Sequence, residues 1–391
     1  MTQAFVSERI RRLPPYLFAR IDELKQEAIA SGIDVIDLGV GDPDVRTPDK
    51  IIERLKSAVH GEGAHRYSSY SGLPRLRKTF ASWFEKRYGV SLDPDREILP
   101  LIGSKEGIGH IFFGVCNPGD ETLLPDPGYP VYAAAATLAG AISRFFPLRS
   151  DRNYLPEIDE IQKLISPRTK MLWMNYPSNP TTAVATEDVF RSMVELAKDN
   201  RLLICHDTAY AELAFDGRKS VSLMQIPGGK ETGVEFHSMS KTFCMTGWRV
   251  GFAVGNGEAI GALAKVKTNL DSGIFLPIQE AAITAFTDCG EEAEGIRKRF
   301  EARRNSFVSG LNEIGWKVPL PPATFYVWAP LPSGYSSMEF SAKLLKEAGI
   351  VCTPGVGFGD NGEGFVRMTL TVPEDRLALA LERIAALKVE W

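Results

Sequence analysis

The chain of 391 residues is long enough for two domains, and its 44% hydrophobic and 24% charged residues are typical of a globular protein. Its 45 basic and 49 acidic residues give a formal net charge of -4, and this near balance argues against nucleic acid or an anionic membrane as partner. The five cysteines include no C-x-x-C pair and the first residues lack the apolar core of a signal peptide, so we predict a cytoplasmic protein with reduced thiols.

The first 47 residues have two predicted parts. Residues 1–15 form a proline-marked arm, and an amphipathic helix follows it with apolar side chains at Ile21, Leu24 and Ala28. This spacing places the three side chains on one face of a helix. We expect residues 16–47 to contribute to a small α+β domain.

Residues 48–295 are predicted to form a large domain. Apolar runs of strand length alternate in it with helical segments, which favours an α/β fold with a mostly parallel sheet flanked by helices. The runs that we interpret as buried strands are 97–103, 121–126, 170–177, 201–207 and 233–240.

The pattern changes near Glu291, where a long charged helix begins. Two strand-like runs follow at 324–331 and 364–370, together with further helices. We therefore predict that residues 296–391 complete the small α+β domain to which residues 16–47 contribute.

Polar residues occur where the predicted strands of the large domain end. In open α/β sheets, ligands bind beyond the carboxyl ends of the strands, so these residues form a candidate site. They are Ser104 and Lys105 after Gly103, Tyr129 in DPGYP, Asn179, Asp207 with Tyr210, and Ser238, Ser240 and Lys241.

Four of the candidate positions each allow a structural and a chemical explanation. Ser104 either follows a simple turn or begins a helix whose N–H groups bind phosphate. Asp207 either caps a helix or pairs with a cationic ring nitrogen. Lys241 is either a surface lysine or a desolvated amine that attacks a carbonyl, and Arg367 within an apolar strand needs either a carboxylate of the protein or one of a substrate.

Other chemistries lack their sequence motifs. The chain contains no H-E-x-x-H, no C-x-x-C and no G-x-x-x-x-G-K-[ST], so we predict no metal site. The glycine-rich segment 355–364 does not match the dinucleotide fingerprint. His206 and Asp207 are adjacent in a predicted strand, so they point to opposite faces and cannot form a catalytic relay.

In combination, these segments resemble the fold type I pyridoxal-phosphate enzymes, specifically the class I and II aminotransferases. The resemblance covers nearly the whole chain. It implies pyridoxal 5'-phosphate as cofactor, amino-group transfer to 2-oxo acids by a ping-pong mechanism, and a homodimer with shared sites. The motifs that carry it are Y-x-x-x-x-G at 67–72, DPGYP at 126–130, NPT at 179–181, D-x-x-Y at 207–210, and S-x-S-K at 238–241 with arginine eight residues after the lysine.

The resemblance also implies roles around the cofactor ring. Lys241 would hold the cofactor as a Schiff base and shuttle the proton, and Asp207 would keep the pyridine nitrogen protonated. Tyr210 and Asn179 would donate hydrogen bonds to the phenolic oxygen of the ring, and Tyr129 would stack on its face.

Further roles concern the phosphate and the substrate. Ser104, Lys105, Ser238, Ser240 and Arg249 would hold the phosphate within one chain. The phosphate in the neighbouring subunit would be reached by Tyr67. The substrate would be bound by Arg367 through its α-carboxylate, with help from Gly41, Asn179 and Tyr129.

A narrower resemblance is to the LL-diaminopimelate aminotransferases, through segments such as VIDLGVGDPD, LIGSKEGIGH and EFHSMSKTFCMTGWRVGFAVGN. It implies LL-2,6-diaminopimelate with 2-oxoglutarate and glutamate as substrates, in lysine biosynthesis. Tyr16, Lys105 and Ser272 would bind the far end of the substrate, and Thr182 departs from the glycine of many relatives. Specificity for aspartate, alanine or aromatic substrates, or a carbon–sulfur lyase activity, is the alternative.

Overall fold

The computed structural model describes residues 5–13 and 17–391, with the backbone alone for residues 17–20. Among these residues, no helix combines the length and apolar character needed to cross a bilayer. The described helices are α1 (Glu8–Arg12), α2 (Leu17–Ala30), α3 (Asp49–Val59), α4 (Pro74–Tyr88), α5 (Ser104–Val115), α6 (Val131–Ala139), α7 (Ile158–Leu164), α8 (Glu187–Asn200), α9 (Gly229–Thr232), α10 (Met239–Thr242), α11 (Gly257–Leu270), α12 (Leu276–Asp288), α13 (Gly290–Ile314), α14 (Ser337–Ala348) and α15 (Glu374–Ala385).

The strands in the described part of the chain form three sheets. The described strands are β1 (Ile36–Asp37), β2 (Ile98–Leu101), β3 (Glu121–Asp126), β4 (Ile142–Pro147), β5 (Thr169–Asn175), β6 (Leu203–Asp207), β7 (Gly233–Ser238), β8 (Gly251–Gly255), β9 (Tyr326–Pro330), β10 (Ile350–Val351), β11 (Thr353–Pro354) and β12 (Phe365–Thr369).

The large sheet has the strand order β2-β8-β7-β6-β5-β3-β4. Five neighbouring strands are parallel, and in sheet order these are β7, β6, β5, β3 and β4. Strand β8 is antiparallel to both of its neighbours, β2 and β7. The predicted α/β fold with a mostly parallel sheet is therefore confirmed. Because parallel strands end at one edge, the last residues of β3, β5, β6 and β7 face the same side of the molecule, and these are Asp126, Asn175, Asp207 and Ser238.

Helices cover both faces of the large sheet. Leu172 packs into the hydrophobic cluster on one face and its neighbour Trp173 into the cluster on the other, and Ile204 and Cys205 divide in the same way. Successive side chains in a strand point to opposite faces, so a strand buried on both sides is apolar throughout. This burial explains the unbroken apolar runs in the sequence.

A third hydrophobic cluster surrounds the sheet β11-β12-β9, in which both strand pairs are antiparallel. It contains Ile36 and Leu38 together with side chains from 296–387. Tyr210 and Leu213, which follow β6 of the large sheet, also pack into it. Residues on both sides of the predicted boundaries therefore share this core, and the division of the chain at 48 and 295 stays a prediction.

Candidate active site

The carboxyl edge of the large sheet borders a cavity of about 310 Å³, a volume suited to a small-molecule ligand. Side chains that are far apart in the sequence meet there because their strands are parallel. The cavity is lined by Val40, Gly41, Ser104, Lys105, Ile108, Tyr129, Asn179, Asp207, Ala209, Tyr210, Ser238, Ser240, Lys241, Arg249, Tyr326 and Arg367.

One end of the cavity combines a helix N-terminus with a cation. Helix α5 begins at Ser104, and its N-cap Gly103 has a φ of 77°. A Cβ atom at Gly103 would collide with the guanidinium of Arg249, so glycine permits this close approach. N–H groups at a helix start and an adjacent guanidinium favour an anion such as phosphate, and Ser238 and Ser240 also line the cavity.

Lys241 projects its amine into the cavity from α10. Its Nζ donates a hydrogen bond to the carbonyl oxygen of Gly41 at 3.0 Å. Burial lowers the pKa of Lys241 to about 8; the nearby Asp42 opposes this shift, and Arg367 and Arg249 add to it. A lysine with this pKa has a sizeable neutral fraction near neutral pH and can act as nucleophile or base.

Asp207 ends β6 with its carboxylate buried at the wall of the cavity. Its Oδ2 accepts a hydrogen bond from the Tyr132 hydroxyl at 2.8 Å, and its Oδ1 accepts one from the backbone N–H of Ala209 at 3.3 Å. Burial raises the pKa of Asp207, and the Tyr132 hydrogen bond opposes this effect. A cationic group in the cavity would stabilise the ionised carboxylate.

His206 points away from this site. Its Nδ1 lies 2.8 Å from Oε1 of Glu235, and its Nε2 lies 2.9 Å from the carbonyl oxygen of Tyr176. The two neighbours His206 and Asp207 therefore serve opposite faces of the sheet, which excludes a relay between them.

Arg367 on β12 is a buried cation in the wall of the cavity and is only 2% exposed. Its guanidinium donates to Oδ1 of Asn179 at 2.7 Å and to the carbonyl oxygen of Gly39 at 2.8 Å. These contacts orient the planar guanidinium within the wall of the cavity. A buried guanidinium held in this way can bind a carboxylate through two parallel hydrogen bonds.

Two of the predicted site residues that the structure describes, Tyr67 and Ser272, do not line this cavity. Tyr67 is 93% exposed, and Ser272 is exposed in the loop after α11. Their two loops are joined by a hydrogen bond from the Ser68 hydroxyl to the carbonyl oxygen of Ile274 at 2.7 Å. Tyr16 lies outside the described residues.

Two tyrosines at the site were missed by the sequence analysis. Tyr132 follows Tyr129 by three residues but belongs to α6, and helix packing turns its hydroxyl to Asp207. Tyr326 begins β9, and its hydroxyl lies 2.9 Å from that of Tyr210. Both strands of the β9–β12 pair were predicted, but their register, which brings Tyr326 close to Arg367, is not evident from the sequence.

The residues around the cavity fit the pyridoxal phosphate that the sequence suggests. The helix start beside Arg249 suits its phosphate, and the Lys241 amine suits its carbonyl carbon. The buried carboxylate of Asp207 suits a protonated ring nitrogen, because an isolated buried carboxylate is costly.

Comparisons with known proteins agree with this fit. The family model described as aminotransferase class I and II matches residues 33–384. The chain is 50% identical over 386 residues to an LL-diaminopimelate aminotransferase of Syntrophobacter fumaroxidans, covering 98% of this chain and 99% of that protein. It is 48% identical to an LL-diaminopimelate aminotransferase of Aquifex aeolicus, with 98% and 99% coverage. Its structure is similar to that of substrate-bound BacF from Bacillus subtilis, with a TM-score of 0.95, 33% identity, and 99% and 98% coverage.

Proposed function

Because the chain belongs to the class I and II aminotransferases, we propose that it transfers an amino group between LL-2,6-diaminopimelate and 2-oxoglutarate, with pyridoxal phosphate bound at Lys241. The main support is the near full-length 50% identity to a protein named LL-diaminopimelate aminotransferase. Lysine biosynthesis in the cytoplasm is the corresponding physiological role. The chain is a pyridoxal-phosphate-dependent transaminase by family, and the proposal concerns its substrates and the roles of its residues.

Each end of the cofactor would be bound by a different part of the cavity. The helix start at Ser104, with Lys105, Ser238, Ser240 and Arg249, would bind the phosphate. When bound, the cofactor supplies a carbonyl group that takes up the amino group and a ring that withdraws electrons from the α-carbon.

Around the ring, three side chains would set the charge and the orientation. Asp207 would hold a proton on the ring nitrogen, and Tyr129 would lie against the ring face. Tyr210 would donate a hydrogen bond to the phenolic oxygen, because burial raises the pKa of its hydroxyl well above the usual value and keeps it protonated.

Proton transfer would then depend on the Arg367 cation and the neutral Lys241 amine. Arg367, with Asn179 and the backbone of Gly41, would bind the α-carboxylate and so present the Cα–H bond to the lysine. Lys241, with its amine in the neutral form, would act as the general base that takes the proton from the α-carbon of the bound substrate and holds it for return.

The site would be completed by a second copy of the chain. Tyr67 and Ser272 lie on two hydrogen-bonded loops outside their own cavity, which is suited to a contribution to a neighbouring site. We propose a homodimer in which Tyr67 reaches the phosphate, and Ser272 the distal end of the substrate, in the partner subunit. Tyr16 and Lys105 would complete the distal subsite.

Replacement of Lys241 by alanine tests the assignment of the site. We expect Lys241→Ala to abolish both the visible absorbance of the bound cofactor and turnover, because the Lys241 amine would form the linkage to the cofactor. The exposed Lys265→Ala is the matched control and should retain both. Persistence of the absorbance and of turnover in Lys241→Ala would refute the assignment.

An amino-donor panel tests the proposed substrate. We expect LL-diaminopimelate with 2-oxoglutarate to give a higher kcat/KM than aspartate, alanine or aromatic amino acids with the same acceptor. A preference for one of these others would place the chain elsewhere in the family. Pyruvate and ammonia from a thioether substrate, without amino transfer, would instead indicate a lyase.

A further inference from the structure

Tyr326 occupies a position where three parts of the site meet. It is buried at the start of β9, and the segment before it is attached to the loop after β6 by a hydrogen bond from the backbone N–H of Thr324 to the carbonyl oxygen of Leu213 at 2.8 Å. This attachment places Tyr326 beside Tyr210, although the two are 116 residues apart. The backbone before Tyr326 and its hydroxyl are thus both in contact with the segment that follows β6.

The side chain of Tyr326 makes a different contact with each of three neighbours. Its hydroxyl lies 2.9 Å from the hydroxyl of Tyr210. The face of its ring is 4.1 Å from the guanidinium carbon of Arg367, within cation–π range. A Cβ atom at Gly41 would collide with the Tyr326 hydroxyl, so the Gly41 backbone that accepts the Lys241 hydrogen bond packs directly against it.

We propose that Tyr326 is a positioning residue that orients Tyr210 through its hydroxyl and Arg367 through its ring. The inference rests on the proposed function and extends it. Tyr210 has one proton to donate, and when that proton is given to the phenolic oxygen of the cofactor, its own oxygen is left as acceptor. The Tyr326 hydroxyl then donates to Tyr210, which fixes the direction of both protons and strengthens the outer hydrogen bond.

Two properties of the enzyme separate these two contacts. The Tyr326 hydroxyl acts through Tyr210 on the phenolic oxygen of the cofactor. Its loss makes that oxygen more basic and so raises the pKa of the cofactor–lysine linkage. This pKa is measured from the absorbance of the bound cofactor as a function of pH. The ring acts on Arg367, so its loss weakens substrate binding and raises KM. A residue with a merely structural role would move neither property selectively.

A mutant cycle with Tyr210 tests the hydroxyl contact. We expect Tyr326→Phe to raise the pKa of the linkage by roughly 0.3 to 1 unit and Tyr210→Phe to raise it further. The double variant should match Tyr210→Phe alone, because Tyr326 acts through Tyr210. An unchanged pKa in Tyr326→Phe, or full additivity in the double variant, would overturn this part.

A comparison of two substitutions tests the ring contact. Tyr326→Phe keeps the ring, so KM for the amino donor should stay within about two-fold, whereas Tyr326→Leu should raise KM about 3- to 10-fold. Equal KM values in the two variants would refute the ring contact, and Tyr326→Met replaces the leucine variant if that variant does not fold. Failure of the proposed function is distinguishable from failure of the Tyr326 proposal, because in that case the wild-type protein itself would show neither the visible band nor amino transfer.

Discussion

At the scale of single residues, the pKa of Lys241 determines when its amine can react with a carbonyl. Burial lowers this pKa to about 8 from the usual value near 10.5. In the folded chain without cofactor, the neutral amine becomes the main species above about pH 8. The uptake of cofactor should report this titration directly, because only the neutral amine attacks.

We expect the rate of pyridoxal phosphate capture by the apoenzyme to rise about ten-fold per pH unit below pH 8 and to level off above it. Stopped-flow absorbance measures this rate. N-acetyl-lysine methyl amide in solution is the control, and its rate should continue to rise toward pH of roughly 10.4. An apoenzyme rate that also rises to pH 10 would contradict the lowered pKa.

Replacement of Arg367 by lysine tests whether the planar shape of the guanidinium matters as much as its charge. A lysine in its place keeps the charge but loses the two parallel N–H donors of the guanidinium. We expect Arg367→Lys to raise KM for the amino donor roughly 10- to 100-fold, with a smaller effect on kcat. Arg376→Lys is the control, since Arg376 contacts Asp34 at 2.8 Å on the surface; an unchanged KM in Arg367→Lys would exclude the carboxylate role.

At the scale of elements, strands β6 and β7 are joined behind the site by the buried carboxylate of Glu235. It accepts hydrogen bonds from the Ser222 hydroxyl and the backbone N–H of Leu223, both at 2.7 Å, and contacts His206. Burial alone would raise the pKa of Glu235, but the hydrogen bond with His206 and the nearby His237 ring, 3.4 Å away, outweigh it and lower the pKa below the usual 4.5. The residues next to His206 and His237 are Asp207 and Ser238, so this contact supports the site from behind.

We expect Glu235→Gln to lower the free energy of unfolding by about 2 to 4 kcal/mol, because an amide cannot accept all of these hydrogen bonds. A folded-state pKa below the unfolded value contributes stability that is present above pH 4.5 and lost as the pH falls through the folded value. The wild type should therefore lose more stability than Glu235→Gln on acidification below pH 4.5 in urea unfolding. Glu291→Gln, at an exposed position, is the control; equal acid sensitivity of wild type and Glu235→Gln would contradict the prediction.

Thr182 occupies a turn whose backbone conformation favours glycine. The turn after Asn179 gives Thr182 a φ of 63°, in the left-handed region that favours glycine. The backbone of the turn is held nonetheless, because the Thr182 N–H donates to the carbonyl oxygen of Ser178 at 3.0 Å. Threonine therefore occupies a turn of the type that favours glycine.

At the scale of the whole molecule, an active site shared between subunits predicts that two chains impaired by different substitutions restore activity when they form a hybrid dimer. Co-expressed Lys241→Ala and Tyr67→Ala chains should form hybrids in which one site has both an intact Lys241 and an intact Tyr67 from the partner. We expect purified hybrids to have about half the wild-type activity per dimer, measured with the preferred amino donor.

The control pairs Lys241→Ala with Arg249→Ala. Lys241 and Arg249 line the same cavity of one chain, so neither site of that hybrid is intact. Its activity should stay at the level of the single variants. A Lys241→Ala and Tyr67→Ala hybrid no more active than its parents would argue against a site shared between subunits.

The sequence alone determined the fold class and the main polar residues, because both follow from local patterns. Buried parallel strands are apolar throughout, and the residues that end them, such as Asp207 and Ser238, must meet at one edge of the sheet. Only the tertiary structure determined that Tyr132 and Tyr326 belong to the site. The rotation of a packed helix turns Tyr132 to Asp207, and the register between two strands brings Tyr326 to Arg367. Rotation and register arise from side-chain packing between elements distant in the chain, which local spacing does not encode.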